Sequence, residues 1–262
     1  MTATRLAPRR RVEHCMGTVF SFDIRPPGPD QEATQDAIVG AIEAAVCRLH
    51  WIDTTFSTFQ PDSQLSRLAR GELTLDACAP EMRTVLARCK QLHHDTGGYF
   101  SAYAAGQLDP SGYVKGWAIE AASDILAAAG STNHCVNGGG DVQCVGHAAA
   151  GQPWRIGIAH PHRPGQLAGV VAGADLAVAT SGTAERGQHV IDPHTRRRPA
   201  TLASVTVVGP RLADADAYAT AAFAMGADAR DWLEQLPGHW GFAVTTDGST
   251  WSTSGWGNPD GH

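Results

Sequence analysis

The chain has 262 residues, 43% of them hydrophobic, and a formal net charge of −6. That length supports one sizeable core or two closely merged halves. The acidic balance lacks the basic footprint of a nucleic-acid binder, and no apolar run approaches the length needed to cross a bilayer; neither a nucleic-acid partner nor a membrane span is expected.

At the N-terminus, Arg9-Arg10-Arg11 precede "VEHCMGTVFSFDI", which has no continuous apolar core and no small-residue cleavage site of the kind a secretory signal carries. This predicts a cytoplasmic protein. Residues 1–15 read as an N-terminal tail, 16–255 as a single domain and 256–262 as a C-terminal tail. The six cysteines show neither CxxC nor zinc-ligand spacing. They are expected to be reduced thiols of the core. A second basic run, Arg196-Arg197-Arg198, reads as a solvated turn.

Thr18 to Ile24 alternates apolar and polar and stops at Pro-Pro-Gly, which predicts an edge strand. Residues 31–51 place Ala37, Ile38, Ala41, Ile42, Ala45, Val46 and Leu49 at helical spacing. A second helix over 79–95 is opened by Pro80 and closed by Gly97-Gly98. A third starts near Val114 and stops at Gly130. Five short segments follow: "HCVN", "DVQCVG", "WRIGIAHP", "LAGVVAG" and "LAVATSG". They are turn-linked and mostly alternating, which predicts an antiparallel meander. "ASVTVVG" is a further strand feeding a helix over 212–226. A short helix near 228–236 and the strands "GFAVTTDG" and "STWST" complete the chain. The fold class is therefore α+β, antiparallel sheets packed with helices. Helices and strands recur twice in a similar order, which leaves room for a merged duplication.

Three segments carry candidate chemistry. In "DPSGYVKGWA", Asp109, a small-residue turn and Lys115-Gly116 at a helix start would set backbone amides and an ammonium against an anion. Taken alone, it reads as an Asp-Pro turn with a surface lysine. In "NGGGDVQCVG", three glycines suit a bulged turn between strands, or a bend that lets Asn137 or Asp141 face a site. In "ATSGTAERGQHVIDP", His189 lies in a polar, glycine-flanked run where proton transfer is chemically reasonable. The helix "LADADAYATAAFAMG" adds a puzzle. Asp214 is explained as a cap or a charge at the helix N-terminus. Asp216 and Thr220 share a face, with Cβ atoms about 5–6 Å apart. A carboxylate and a hydroxyl so placed suit a hard cation such as Mg²⁺, which binds oxygen at about 2.0–2.1 Å and favours few protein ligands plus phosphates. Walker A, GxGxxG, HExxH and GxSxG motifs are all missing.

In order, "CMGTVFSFDI", "FSTFQPDSQLSRL", "TGGYF", "DPSGYVKGWAIEAA", "CVNGGGDV", "WRIGIAHP", "AVATSGTAERGQHVIDPHTRRRP" and "VTVVGPRLADADAYATAAFAMG" make nearly the whole chain resemble the ApbE-type flavin transferases, the FAD:protein FMN transferase family. The resemblance implies an ApbE-like α+β fold that uses FAD as substrate with Mg²⁺. It also implies transfer of FMN to a Thr or Ser hydroxyl of an acceptor protein, releasing AMP. Under the same resemblance Met16, Phe59, Tyr99 and Phe100 line the flavin pocket. Asp109 contacts the cofactor, and Lys115, Asn137 and Asp141 shape its site. The Gly112 carbonyl, Asp216 and Thr220 hold the metal, and His189 is the general base. Two departures stand out. Ser101 follows the Phe where the family more often has an acid, and "PHTRRRP" replaces the commoner Thr-Gly-x-Pro turn. Two other readings fit the same residues: a metal-dependent FAD pyrophosphatase yielding FMN and AMP, and a non-catalytic FAD-binding protein.

Overall fold

The computed structural model describes residues 9–25, 35–183 and 190–256. Strands β1 (Arg9–Cys15) and β2 (Thr18–Ile24) form a hairpin. Four helices follow: α1 (Gln35–Phe56), α2 (Gln64–Ala69), α3 (Pro80–Asp95) and α4 (Ser111–Ala128). Next come β3 (His134–Gly138), β4 (Asp141–Val145), β5 (Trp154–Ala159), β6 (Leu167–Gly173), β7 (Leu176–Gly182) and β8 (Leu202–Gly209). Helices α5 (Leu212–Met225) and α6 (Ala229–Glu234) precede β9 (Trp240–Thr245) and β10 (Thr250–Ser252).

Eight strands make one sheet in the order β1-β2-β3-β4-β7-β8-β9-β10, every neighbouring pair antiparallel. The helices cover one face. On α1, Ile38, Ile42, Val46, Leu49, Ile52 and Phe56 form the buried stripe that its spacing calls for. Helix α4 packs between α1 and α5, and α5 lies on β7 and β8. Enclosed on several sides, α5 is buried nearly all round, which explains its run of alanines. The other face carries a smaller core in which Val142, Cys144, Val178 and Val208 meet Trp154, Ile158 and Val171.

Several expectations change. The N-terminal tail over 1–15 is overturned for residues 9–15, which pair along the whole of β2. Their arginines hide the strand, because only one face of β1 turns toward the core. Strand β1 is consequently the edge, and β2 is interior. The C-terminal tail begins too early at 256, since Trp256 stacks on Phe242 with ring centroids 5.1 Å apart. The meander is interrupted: β5 and β6 leave it as a separate two-stranded sheet. All six cysteines are free, as expected, but Cys47 is exposed on α1 and Cys78 and Cys135 are only half-buried. The order strand pair, helices, strand pair recurs on either side of β5 and β6. That is a symmetry of topology and does not by itself show a duplication.

Candidate active site

Helices α4 and α5 cross at a glycine. A Cβ on Gly116 would stand 2.6 Å from the Leu212 carbonyl oxygen and 2.8 Å from the Asp216 Cβ, so only glycine permits the approach. At the crossing, the Gly116 N–H donates to Asp216 Oδ2 at 2.9 Å. One turn away a Cβ on Gly112 would meet Thr220 Oγ1 at 3.1 Å. Asp216 and Thr220 thus share a face of α5 and turn toward the start of α4.

The N-terminus of α5 is satisfied by distant side chains. Leu212 donates its N–H to Gln143 Oε1 at 3.0 Å, and Ala213 donates to Glu120 Oε2 at 3.1 Å. Glu120 also pairs with Arg211. Burial raises the Glu120 carboxyl pKa above the ordinary carboxylate range, against the Ala213 hydrogen bond and the Arg211 charge. Asp214 is not the hydrogen-bonding cap the sequence suggested: it lies in the first turn and accepts from Arg88 of α3 at 2.7 and 3.1 Å. Tyr113, on α4, has its hydroxyl pushed up to about 12, chiefly by burial.

Lys115 extends from α4 between two buried carboxylates. It forms an ion pair with Asp141 and its Nζ lies 3.7 Å from Asp216 Oδ1. Asp141 is fully buried, and its Oδ1 accepts the Thr180 N–H at 2.9 Å. It is delivered by a two-residue turn: Gly138 pairs with Asp141, and Gly139 and Gly140 between them have φ of 61° and 95°. Both angles favour glycine and match a hairpin of type I′, which accounts for the glycine run. Neighbouring hydroxyls complete the wall. Ser181 Oγ is 3.5 Å from Thr220 Oγ1, and Thr180 Oγ1 is 2.9 Å from Thr206 Oγ1.

These groups border a cleft enclosing about 900 Å³ of empty space, open solvent at its mouth included. Of the predicted residues, Tyr99, Phe100, Asp109, Gly112, Lys115, Asp216 and Thr220 all line it. Phe100 is buried, its N–H donating to Thr96 Oγ1 at 2.9 Å. Asp109 Oδ1 accepts the Ser111 N–H at 3.0 Å and so shapes the entry to α4. Asp216 is only 2% exposed yet lines the cleft.

Four predicted residues are not among the lining residues. Asp141 sits behind Lys115. Asn137 closes the β3–β4 turn, its Oδ1 accepting from the Gly140 N–H at 3.2 Å. Met16 occupies the β1–β2 turn with φ 53° and donates its N–H to Asp53. Phe59 is 95% exposed in the loop between α1 and α2. His189 lies outside the described residues; Val190 and Ile191, next in the chain, line the cleft. The sequence reading missed Thr180 and Ser181, whose signal was the paired hydroxyls of "ATSG". It also missed His194, whose ring meets Tyr99 edge-on at 4.5 Å.

Fold and cleft together define an antiparallel α+β protein with a polar, oxygen-rich cleft at the crossing of two helices. The chain belongs to the ApbE family: the family's sequence model matches residues 16–106 and 101–242. The FAD:protein FMN transferase of Rhodobacter capsulatus is 35% identical over 164 residues, which is 58% of this chain and 31% of that protein. The protein of the same name from Treponema pallidum is 34% identical over 172 residues, 55% of this chain and 48% of its own length. This chain therefore matches less than half the length of either relative. Among solved structures, the flavinyl transferase ApbE of Pseudomonas stutzeri, in its apo form, superposes with a TM-score of 0.80 at 24% identity, covering 100% of both chains. The ApbE protein of Thermotoga maritima gives a TM-score of 0.81 at 20% identity over 95% of this chain and 97% of that one. Both likenesses establish the fold.

Proposed function

We propose that this chain transfers the FMN half of FAD to a Thr or Ser hydroxyl of an acceptor protein, with Mg²⁺ and with release of AMP. The observation that carries this reading is the shared wall of Asp216, Thr220 and Gly112 beside Lys115.

The donors on that wall suit a hard divalent cation. They are carboxylate, hydroxyl and backbone oxygens, with no cluster of three His, Cys, Asp or Glu among the described residues. A site with one carboxylate leaves coordination positions for phosphate and water, which is how Mg²⁺ is commonly held. Asp141, Asp216 and Lys115 sum to one net negative charge, which also favours a cation. When bound, Mg²⁺ supplies Lewis-acid stabilisation of charge on the pyrophosphate.

The chain's own groups supply the rest. Lys115 holds both carboxylates in place and keeps a fixed positive charge at the wall where phosphates would lie. Tyr99 and Phe100 offer an aromatic wall to the flavin ring. In the proposed step the acceptor hydroxyl oxygen attacks the phosphorus on the FMN side. The bridging phosphorus–oxygen bond breaks, and its electron pair leaves with AMP. His189 takes the hydroxyl proton, a contribution typically of about 10²–10⁴-fold.

The test is mass spectrometry of a Thr-containing acceptor peptide after incubation with the protein, FAD and Mg²⁺. The reading requires a peptide heavier by FMN less one water, with equimolar AMP. Free FMN beside unmodified peptide identifies a pyrophosphatase, and unchanged FAD identifies a binding protein; either result overturns the transfer reading.

A further inference from the structure

The β3–β4 hairpin carries two cysteines face to face. Its register pairs Cys135 of β3 with Cys144 of β4, three residues outside the Gly138–Asp141 pair that closes the turn. Opposite residues of an antiparallel ladder alternate between hydrogen-bonded and non-hydrogen-bonded pairs. Gly138 and Asp141 flank a two-residue turn and form the bonded kind. Asn137–Val142 is then non-bonded, Val136–Gln143 bonded and Cys135–Cys144 non-bonded. Non-bonded partners stand about 4.5 Å apart at Cα, within the span of about 4.4–6.8 Å that a disulfide bridges. Both side chains leave the sheet on the same face, toward the smaller core.

Their surroundings differ. Cys144 is fully buried in that core beside Val142, Trp154 and Val178, whereas Cys135 is half-buried at its edge. The hydrogen bond to Cys135, and after it burial, raises the Cys144 pKa above the ordinary thiol value. Cys144 therefore holds its proton, and Cys135 is the sulfur that a solute can reach. The four other cysteines lie elsewhere: Cys15 at the end of β1, Cys47 on α1, Cys78 before α3 and Cys89 on α3. The proposed transfer uses neither sulfur of the hairpin.

We infer that Cys135 and Cys144 form a thiol–disulfide site of the folded protein, whose oxidant is a small hydroperoxide, with Cys135 attacking first and Cys144 resolving. A half-buried sulfur admits a reagent of two heavy atoms more readily than a bulky disulfide. In the first step the Cys135 sulfur attacks a peroxide oxygen. The O–O bond breaks, hydroxide leaves and takes up the Cys135 proton as water, and Cys135 becomes a sulfenic acid. The Cys144 sulfur then attacks the Cys135 sulfur. The S–O bond breaks, and the hydroxyl leaves with the Cys144 proton as a second water. Two thiols are oxidised by two electrons and the peroxide is reduced to two waters. The new bond ties β3 to β4 below the turn that delivers Asp141 to Lys115, which restrains that hairpin.

The test is mass spectrometry of the folded protein treated with hydrogen peroxide, alkylated with iodoacetamide in denaturant and cut with trypsin. Residues 116–155 form one tryptic peptide holding both cysteines and no other. That peptide is expected two hydrogens lighter and unalkylated, and reduction with dithiothreitol before alkylation is expected to restore two alkylated thiols. In Cys144→Ala the sulfenic acid has no resolving partner, and dimedone is expected to label Cys135. In Cys135→Ser, Cys144 is expected to stay fully alkylatable. Two alkylatable thiols in the native peptide, under conditions that oxidise the exposed Cys47, overturn the inference. So does a disulfide that forms only once the protein is unfolded, or dimedone labelling of Cys144 in place of Cys135. The readout needs no FAD, so it stands or falls independently of the transfer chemistry.

Discussion

Gly116 and Asp216 are joined twice: the Gly116 N–H donates to Asp216 Oδ2 at 2.9 Å, and a Cβ on Gly116 would lie 2.8 Å from the Asp216 Cβ. One residue type thus sets both the helix crossing and the aim of the carboxylate. Gly116→Ala is expected to destabilise the protein by about 1–3 kcal/mol through overpacking and to weaken metal-dependent turnover. Gly40, exposed on α1 with nothing within 4 Å of its Cβ position, is the control. Gly40→Ala is expected to be neutral or to stabilise by about 0.5–1 kcal/mol. Denaturant unfolding of both variants checks the pair.

Asp216→Asn keeps the size of the side chain and removes its charge. The Mg²⁺ concentration for half-maximal FMN transfer is expected to rise at least about tenfold, with Thr220→Val shifting it in the same direction. A metal titration of each variant reads this directly. An unchanged curve for Asp216→Asn contradicts the ligand assignment.

Lys115 is the cation paired with the fully buried Asp141. Lys115→Met strands that carboxylate and is expected to cost about 3–5 kcal/mol of stability. Lys115→Met combined with Asp141→Asn is expected to recover a large part of the loss. Recovery in the double variant separates a stranded charge from simple loss of packing, and unfolding free energies of the native protein and the two variants measure it.

His134 is buried between Ser123 and Ser131, with ring nitrogens 2.8 and 3.0 Å from their hydroxyl oxygens. Burial, the largest cause, lowers its pKa from 6.5 to about 4. In the unfolded chain the ring gains a proton below about pH 6.5, whereas the native ring stays neutral until about pH 4. Stability is therefore lost as pH falls through that window, by roughly 1.4 kcal/mol per unit and about 3 kcal/mol in all. His134→Gln is expected to flatten this part of the stability–pH curve, as measured by thermal or denaturant unfolding.

The sheet-facing helices and the glycine turn before Asp141 were legible because their signals are local: a helical period, a proline at a helix start, and glycines where φ is positive. The pairing of Asp216 with Thr220 was legible for the same reason, since both lie on one helix. What the sequence hid is long-range. Gln143 and Glu120 cap α5 from distant positions in the chain, and Arg88 claims Asp214 from α3. No spacing rule announces such contacts. Strand β1 was hidden because arginines on an edge strand look like a tail, and α2 because six residues show less than two helical turns. Phe59 illustrates the opposite limit: an aromatic residue in a family-like motif, yet 95% exposed and outside the cleft lining.

Anomalous diffraction from crystals grown with FAD and Mn²⁺ in place of Mg²⁺ asks the central question most directly. The account predicts one strong peak against the pyrophosphate, about 2 Å from a carboxylate oxygen of Asp216 and the hydroxyl of Thr220. A peak away from both side chains, or FAD bound in the cleft with no metal between its phosphates and α5, contradicts it.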